Sequence, residues 1–218
     1  MNYQHTHVSS HALGIRPARF EDVPHLARLL ARAFYDDPVY QWLLPEASTR
    51  VQRSERIFKG FLHTLYPCKS ALVTSKLDGV ALWLPPSSCH ISWVNQAKQN
   101  FRIISALGRY AHRGLLWWWF LERHHPPYRH WTLFLLGVEP EQQGKGIGTA
   151  LVQYMLERID QESVPVYLDT GNPGNARFYQ RIGFEAIRTV HLPGGPTIVQ
   201  MIRPSRGQES EALLLGMR

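Results

Sequence analysis

The residues with the clearest potential for chemistry are the glycines of the stretch GVEPEQQGKGIGTA, residues 137–150. A strand-like apolar segment precedes this stretch, and a helix-like pattern follows it. Because glycine has no Cβ, the backbone can approach a ligand closely, and the N–H groups at the start of the following helix attract anions. Lys145 adds a positive charge at the same turn. The pattern therefore predicts a site for a phosphate or a similar anionic group.

The spacing of these glycines separates three phosphate-binding patterns. A Walker loop requires Gly-Lys followed by Ser or Thr, whereas Lys145 is followed by Gly146. A dinucleotide fingerprint requires G-x-G-x-x-G, whereas Thr149 occupies the last small position. The pattern that fits is Q-x-x-G-x-G, from Gln143 to Gly148, between a strand and a helix. This motif alone also fits a glycine-rich turn that binds no ligand.

A second motif lies downstream in residues 166–184, VYLDTGNPGNARFYQRIGF. It combines a strand, an asparagine-bearing loop and a short helix of the form F-Y-x-x-x-G-F. Its matching residues are Asn172, Asn175, Phe178, Tyr179, Gly183 and Phe184. In order and spacing, the two motifs together resemble the GNAT superfamily of N-acetyltransferases. The resemblance extends over about residues 13–204 and is strongest from Trp131 onward.

This resemblance implies an acyltransferase in which an amine attacks the thioester of acetyl-CoA directly, in a ternary complex. The edge of a splayed strand, here at Val138, is expected to pair with the pantetheine arm, and Asn175 is expected to contact the same arm. The residues implied around the pyrophosphate are Gln143, Gly144, Lys145, Gly146, Ile147, Gly148 and Thr149. Acetyl-CoA is a cosubstrate in this scheme, and no metal ion is expected.

Two residues of the second motif are candidates for proton transfer. Tyr179 is predicted to be the general acid, since a phenol placed close to the sulfur can protonate the leaving thiolate. The alternative for Tyr179 is a core aromatic residue. Asp169, at the end of a predicted strand, is the first candidate for the general base, and a loop hydrogen bond is its alternative role. Weaker candidates for the base are Glu122, His125 and His130.

The acceptor is less strongly indicated than the acetyl donor. Asp36 and Asp37 follow the first predicted helix, where acceptor pockets of the superfamily are lined, so they are candidates for holding a cationic amine. Alternatively, they cap the next helix at Pro38. From Trp131 onward the sequence is similar to the puromycin N-acetyltransferase group, which favours a primary amine of a small molecule. Acetylation of a peptide or protein amine, and a non-catalytic CoA-binding or sensing module, are the alternatives.

The composition restricts the classes of partner. The 218 residues are 44% hydrophobic and carry a formal net charge of +7. Because the Lys and Arg residues are scattered, no nucleic-acid partner is predicted. The strongest apolar run, residues 115–121, is too short to cross a bilayer, so no membrane partner is predicted. With two cysteines, Cys68 and Cys89, and no pattern of a secretory signal, the expected location is cytoplasmic. The sequence leaves a homodimer open.

Three consecutive tryptophans, Trp117, Trp118 and Trp119, lie inside this apolar run. Core packing on an amphipathic helix is the favoured interpretation of these residues. Stacking on an aromatic or sugar-like substrate and attachment to a membrane surface are the alternatives.

The order of the elements predicts a mixed α/β chain. The resemblance implies the GNAT fold, a central mixed and twisted sheet of about six to seven strands flanked by helices, with a helical insertion. The predicted organisation is a mobile N-terminal arm (1–12), a single domain (13–204) with the insertion at 90–125, and a C-terminal tail (205–218). The predicted strands are 15–20, 71–74, 80–84, 131–138, 164–169, 184–191 and 197–202. The predicted helices are 21–34, 49–65, 146–159 and 175–182, with one or two more over 90–123, interrupted at Gly108 and Gly114.

Overall fold

The computed structural model of the chain describes residues 13–66, 71–86 and 93–205. The predicted N-terminal arm, both cysteines and nearly all of the predicted C-terminal tail lie outside these ranges. Among the described helices, none is both long enough and apolar enough to cross a membrane.

In the described part of the chain, seven strands form one mixed sheet in the order β1-β2-β3-β4-β5-β7-β6. The strands are β1 (Arg16–Pro17), β2 (Ala71–Val73), β3 (Gly79–Leu84), β4 (Trp131–Val138), β5 (Val166–Thr170), β6 (Glu185–His191) and β7 (Thr197–Arg203). Neighbouring strands are antiparallel except β4 and β5, which are parallel. The predicted mixed α/β class, and the sheet of the GNAT fold, are confirmed.

Seven α-helices flank this sheet in the described ranges. They are α1 (Val23–Ala33), α2 (Pro38–Leu43), α3 (Ala47–Leu65), α4 (Trp93–Leu107), α5 (Ala111–His124), α6 (Ile147–Ile159) and α7 (Pro173–Gln180). Short 3-10 turns lie at Phe20–Asp22, Gly108–Tyr110 and Pro140–Gln142.

The helices cover both faces of the sheet. The apolar residues of α1 recur at helical spacing, so Leu29 and Leu30 face inward and are fully buried. They pack in one cluster with α3 and with Leu82 of β3. On the opposite face, Leu151 of α6 packs in a second cluster with Trp83. Because side chains alternate along a strand, the apolar run of β3 is buried on both sides.

Strands β4 and β5 diverge shortly after they begin. Their pairing consists of two residue pairs, Trp131–Val166 and Thr132–Tyr167. Beyond these pairs, β4 stays paired with β3 and β5 stays paired with β7. The facing backbone edges of β4 and β5 therefore form a V-shaped gap that opens towards their C-terminal ends.

A bulge at Phe134 interrupts the regular pairing of β4 with β3. Trp83 pairs with Leu133 and Leu82 pairs with Leu135, so β4 contains one extra residue. The extra residue reverses the alternation of side chains. Leu133 accordingly packs in the α6 cluster, whereas Leu135 packs in the α1 cluster.

Most predicted elements are confirmed to within a few residues, and two near the N-terminus differ. The strand expected at 15–20 shrinks to Arg16–Pro17, because Phe20–Asp22 forms a 3-10 turn. Helix α2 was not predicted, although Asp37 and Pro38 begin it. The Asp37 Oδ1 atom accepts hydrogen bonds from the backbone N–H groups of Val39 (2.9 Å) and Tyr40 (3.3 Å). Asp37 is therefore the N-cap of α2.

The predicted insertion is a pair of helices, α4 and α5, joined by a 3-10 turn at Gly108–Tyr110. The break at Gly108 is confirmed, and the interruption expected at Gly114 is wrong, because α5 runs through that position. A methyl group at Gly114 would overlap the Leu107 side chain. Glycine at this position therefore allows α4 and α5 to pack closely.

The three tryptophans of α5 separate into two groups. Trp117 packs in a core cluster, with its ring stacked on Phe120 at a centroid distance of 5.6 Å. Trp118 and Trp119 remain 59% and 52% exposed. The expected core packing therefore holds for Trp117 alone.

Candidate active site

A cleft of about 1150 Å³ lies where β4 ends, α6 and α7 begin and α1 connects to α2. It is lined by every residue predicted to bind acetyl-CoA and by the predicted acid: Val138, Gln143, Gly144, Lys145, Gly146, Ile147, Gly148, Thr149, Asn175 and Tyr179. The motifs did not indicate three further polar residues of the lining, Arg32, Gln153 and Arg181. The structure thus brings both sequence motifs to one concave surface.

The glycine-rich loop carries two residues in the left-handed backbone region. Gly144 has φ = 76° and Gly146 has φ = 81°, values that a residue with a Cβ adopts only with strain. Gly146 is the N-cap of α6, so the helix begins at the cleft. The first N–H groups of a helix lack partners within it and carry the positive end of its dipole. This end of the cleft is therefore suited to an anion.

Two polar side chains of the loop are held against its own backbone. The Lys145 Nζ atom donates to the Glu141 carbonyl oxygen (3.0 Å) and to Gln142 Oε1 (2.8 Å). The Gln143 Nε2 atom donates to the Val138 carbonyl oxygen (3.2 Å). Because these hydrogen bonds are exposed, a ligand can replace them with its own hydrogen bonds at little cost in free energy.

Helix α7 places Tyr179 in the cleft. Asn172 caps this helix by accepting a hydrogen bond from the Gly174 N–H group (2.9 Å), and Pro173 occupies its first position. Tyr179 lies two turns further on, where it is 8% exposed and in edge contact with the Phe184 ring (5.8 Å). The cap and the aromatic contact fix the position of the phenol.

The environment of Tyr179 keeps its hydroxyl protonated. Burial raises the pKa of this phenol well above its ordinary value, and the nearby Asp37 carboxylate raises it further. A phenol with a raised pKa holds its proton throughout the neutral pH range. Tyr179 can therefore act as a proton donor there.

Asp37 and Asp36 both line the cleft. Burial raises the pKa of Asp37, an effect that the N–H groups of Tyr40 and Val39 oppose. The capping role considered for this carboxylate is confirmed, and its place in the cleft beside Tyr179 adds a second potential role. Asp36 and Asp37 thus add two carboxyl groups to the cleft that also contains the anion-binding loop.

The predicted base, Asp169, is not among the residues that line this cleft. Its Oδ1 atom accepts hydrogen bonds from the Tyr167 hydroxyl (2.6 Å) and from Gln200 Nε2 (3.1 Å), and burial raises its pKa. Leu168 packs in the same cluster as Tyr179. Because side chains alternate along β5, Asp169 lies on the opposite face of the sheet.

Tyr167 and Gln200 were not predicted as members of a site. Tyr167 lies two residues before Asp169 on the same strand, and this spacing alone indicates that both side chains lie on one face of the sheet. Gln200 comes from β7, at the position directly opposite Asp169 in the sheet. Finding it required the strand order, which the motifs did not specify.

The weaker base candidates lie near the start of β4 or on α5. His130 is buried, which lowers its pKa to about 4, and its Nε2 atom is 3.4 Å from that of the exposed His125. Both imidazole rings lie 5.6 Å from the Tyr167 ring. Glu122 is exposed on α5. The structure therefore places the two histidines, and not Glu122, beside the residues that hold Asp169.

The described ranges contain no group of three or more His, Cys, Asp or Glu residues arranged to hold a metal ion.

The chain matches the family model described as Acetyltransferase (GNAT) family over residues 63–184, more than half of its length. It is 23% identical over 190 residues to a protein of Schizosaccharomyces pombe named uncharacterized N-acetyltransferase C550.08. That similarity covers 79% of this chain and 74% of the yeast protein.

Solved structures share the fold. A structure described as histone acetyltransferase HPA2 and related acetyltransferase, from Corynebacterium glutamicum, has a TM-score of 0.68 and 23% identity. The match covers 89% of this chain and 97% of that one. The polyamine N-acetyltransferase of Drosophila melanogaster has a TM-score of 0.54 and 17% identity, covering 87% of this chain and 98% of that one. These comparisons do not confirm the similarity to the puromycin N-acetyltransferase group, which stays a prediction.

Proposed function

Because the chain belongs to the acetyltransferase (GNAT) family, we propose that it transfers the acetyl group of acetyl-CoA to a primary amine of a small molecule. The observation that carries this proposal is the meeting, in one cleft, of the glycine-rich loop and the buried phenol of Tyr179. The loop supplies the binding of an anion and the phenol supplies a proton. A module that only bound CoA would have no use for a buried proton donor at this place.

The residues of the cleft fit acetyl-CoA by their chemistry. The left-handed glycines and the start of α6 suit a pyrophosphate. Lys145, in the same loop, adds a positive charge to this end of the cleft. The Asn175 side chain offers an amide group that can form hydrogen bonds. The backbone of β4 up to Val138 has an edge that β5 leaves open, which suits hydrogen bonds to the amides of a pantetheine arm. Acetyl-CoA, when bound, supplies the activated acyl group.

Tyr179 is proposed to protonate the leaving sulfur. As the amine nitrogen forms its bond to the acetyl carbon, the carbon–sulfur bond breaks and the sulfur takes the phenolic proton. The raised pKa of Tyr179 makes this transfer less favourable in energy, so close placement of the hydroxyl has to compensate. Because an ammonium nitrogen has no free electron pair, a base first takes one proton from the cationic amine, and the second proton that the nitrogen loses on forming the amide restores the Tyr179 phenol.

Asp169 remains the proposed base, and Asp37 is proposed to hold the amine as a cation. The hydrogen bonds from Tyr167 and Gln200 support a base role, because they fix the orientation of the Asp169 carboxylate on β5, one of the two strands that border the V-shaped gap. Burial raises the pKa of this carboxyl, which makes the carboxylate a better proton acceptor. The position of Asp37 in the cleft supports the binding role.

Asn substitutions separate these two roles. Asp169→Asn is expected to lower kcat about 100-fold, because the amide cannot take a proton. A carboxylate base loses activity as pH falls through its pKa, so this variant should also lack the acidic limb of the wild-type pH profile. Asp37→Asn keeps a good N-cap but loses the charge, so the KM for the amine should rise with kcat nearly unchanged. Steady-state kinetics against pH measure both effects.

The control for both variants is the KM for acetyl-CoA, which neither change should alter. If Asp37→Asn removed the acidic limb and Asp169→Asn kept it, the roles of the two carboxylates would be reversed.

We infer the class of the acceptor amine from the two acidic residues that line the cleft. Asp36 and Asp37 suit a small cationic amine, and the structural neighbour from Drosophila melanogaster is a polyamine N-acetyltransferase. The neighbour from Corynebacterium glutamicum is described as a histone acetyltransferase, so the peptide or protein amine is the alternative to test.

Release of free thiol from acetyl-CoA, measured across a panel of amines, tests the proposed function. The panel contains polyamines, arylalkylamines and amino sugars, together with peptides that carry a free N-terminus or a lysine. We expect turnover with at least one small amine and none above background with the peptides. Turnover limited to peptides would assign the alternative acceptor. Binding of CoA without turnover on any amine would refute catalysis and favour a sensing module.

A further inference from the structure

The helical insertion presents large apolar side chains to solvent. Five residues form what we term the apolar hairpin face. They are Phe101 (74% exposed) and Ile104 (51%) on α4, and Leu115 (66%), Trp118 (59%) and Trp119 (52%) on α5. Single exposed apolar residues are ordinary, but five large ones on two adjacent helices are more than chance exposure explains.

Helix α5 carries large apolar residues on both of its sides, and Glu122 and Arg123 are also exposed near its end. Its inward side packs Leu116, Trp117 and Phe120 into a core cluster. Its outward side carries Leu115, Trp118 and Trp119. A helix that only packed on the body of a soluble domain would have a polar outer side, so the outward residues of α5 are not explained by the fold.

Positive residues outnumber acidic ones in the two helices that carry this face. Residues 93–124, from the start of α4 to the end of α5, contain five Lys or Arg residues and one acidic residue, Glu122. Arg102 and Arg123 are exposed, and the Arg123 guanidinium lies 5.8 Å from the centre of the Trp119 ring. Two copies of this face would repel each other, so the charge favours an anionic partner over a second copy of the chain.

We propose that the apolar hairpin face docks on the surface of a bilayer that contains anionic lipids. Tryptophan rings suit the boundary between headgroups and acyl chains, because they combine a large apolar surface with one polar N–H group. Arginines beside them add attraction to anionic headgroups. This docking is peripheral and does not require a spanning helix. It is independent of the proposed acetyl transfer, and it takes up the membrane-surface alternative for the tryptophans in place of the prediction that the chain has no membrane partner.

Sedimentation of the full chain with lipid vesicles tests this inference. With vesicles of equal parts phosphatidylcholine and phosphatidylglycerol, in about 0.1 M salt, the chain is expected to sediment with the lipid. With phosphatidylcholine alone, it is expected to stay in the supernatant. The double variant Trp118→Ser/Trp119→Ser should bind anionic vesicles at least tenfold more weakly. Raising the salt to about 1 M should also weaken binding, since the screening length falls from about 10 Å to about 3 Å.

Phe20→Ser is the matched control, because Phe20 is 57% exposed on a 3-10 turn outside the hairpin. This variant should bind like the wild type, and a cooperative thermal transition should show that both variants are folded. Equal vesicle binding by the double tryptophan variant and the wild type would overturn the proposal, as would no binding to anionic vesicles. A dimer in solution that the double variant abolishes would assign this face to a second copy and would also overturn it.

Discussion

Replacing Tyr179 with phenylalanine is expected to lower kcat about 100-fold to 1,000-fold, with little change in the KM for acetyl-CoA. The change removes one hydroxyl from a buried ring and leaves its contacts with the neighbouring aromatic residues in place. Since the raised pKa keeps the phenol protonated at neutral pH, the loss should be nearly constant across that range. Single-turnover release of thiol measures the chemical step directly.

Tyr40→Phe is the matched control for this variant. Tyr40 is also 8% exposed and burial also raises its pKa, but it packs in the α1 cluster and does not line the cleft. Its variant should keep the wild-type kcat. If Tyr179→Phe were as active as Tyr40→Phe, the sulfur would receive its proton from another group, and Tyr179 would be a core residue.

Gly144→Ala is expected to raise the dissociation constant for CoA at least tenfold, about 1.4 kcal/mol. No atom lies within 4 Å of the position that the new Cβ would take, so the methyl group meets nothing in the free protein. It would, however, stand in the part of the cleft where the loop has to approach a pyrophosphate. Isothermal titration with CoA measures the effect.

The positive φ of Gly144 adds backbone strain, which a second variant separates from the loss of binding. Gly194 has φ = 63°, also has no atom within 4 Å of a new Cβ, and lies between β6 and β7 outside the cleft lining. Gly144→Ala and Gly194→Ala should lose similar stability, about 1–2 kcal/mol in chemical denaturation. If Gly194→Ala also weakened CoA binding tenfold, strain alone would explain the result and the loop would lose its proposed role.

The donor side of the site could be predicted from sequence, because its chemistry lies in short continuous motifs. The residues from Gln143 to Thr149 form one continuous loop and the first turn of α6, and the spacing of glycines at such a junction reports backbone geometry directly. Asn175 and Tyr179 lie on one short helix, so their relation to each other was also local. The resemblance supplied the remaining step, that the two motifs meet.

The acceptor side could not be predicted in the same way, because it is built from residues far apart in the chain. Asp37 lies in the connection between α1 and α2. It lines the same cleft as Tyr179, although about two thirds of the sequence separates the two residues. Gln200 meets Asp169 across a strand pairing that no local pattern specifies. The exposure of Trp118 and Trp119 depends on which side of α5 faces the rest of the domain. When apolar residues occur on every side of a helix, the sequence does not show which side that is.

The V-shaped gap between β4 and β5 also bears on self-association. Unpaired strand edges usually lie at the rim of a sheet, where they can template the addition of a strand from another molecule. Here two such edges face each other inside the sheet and are tied together at one end by the pairs Trp131–Val166 and Thr132–Tyr167. A foreign strand cannot run past that closed end and pair along the full length of either edge. The gap can therefore leave backbone N–H and C=O groups free to form hydrogen bonds with a narrow ligand, without offering a full-length edge to a strand of another molecule.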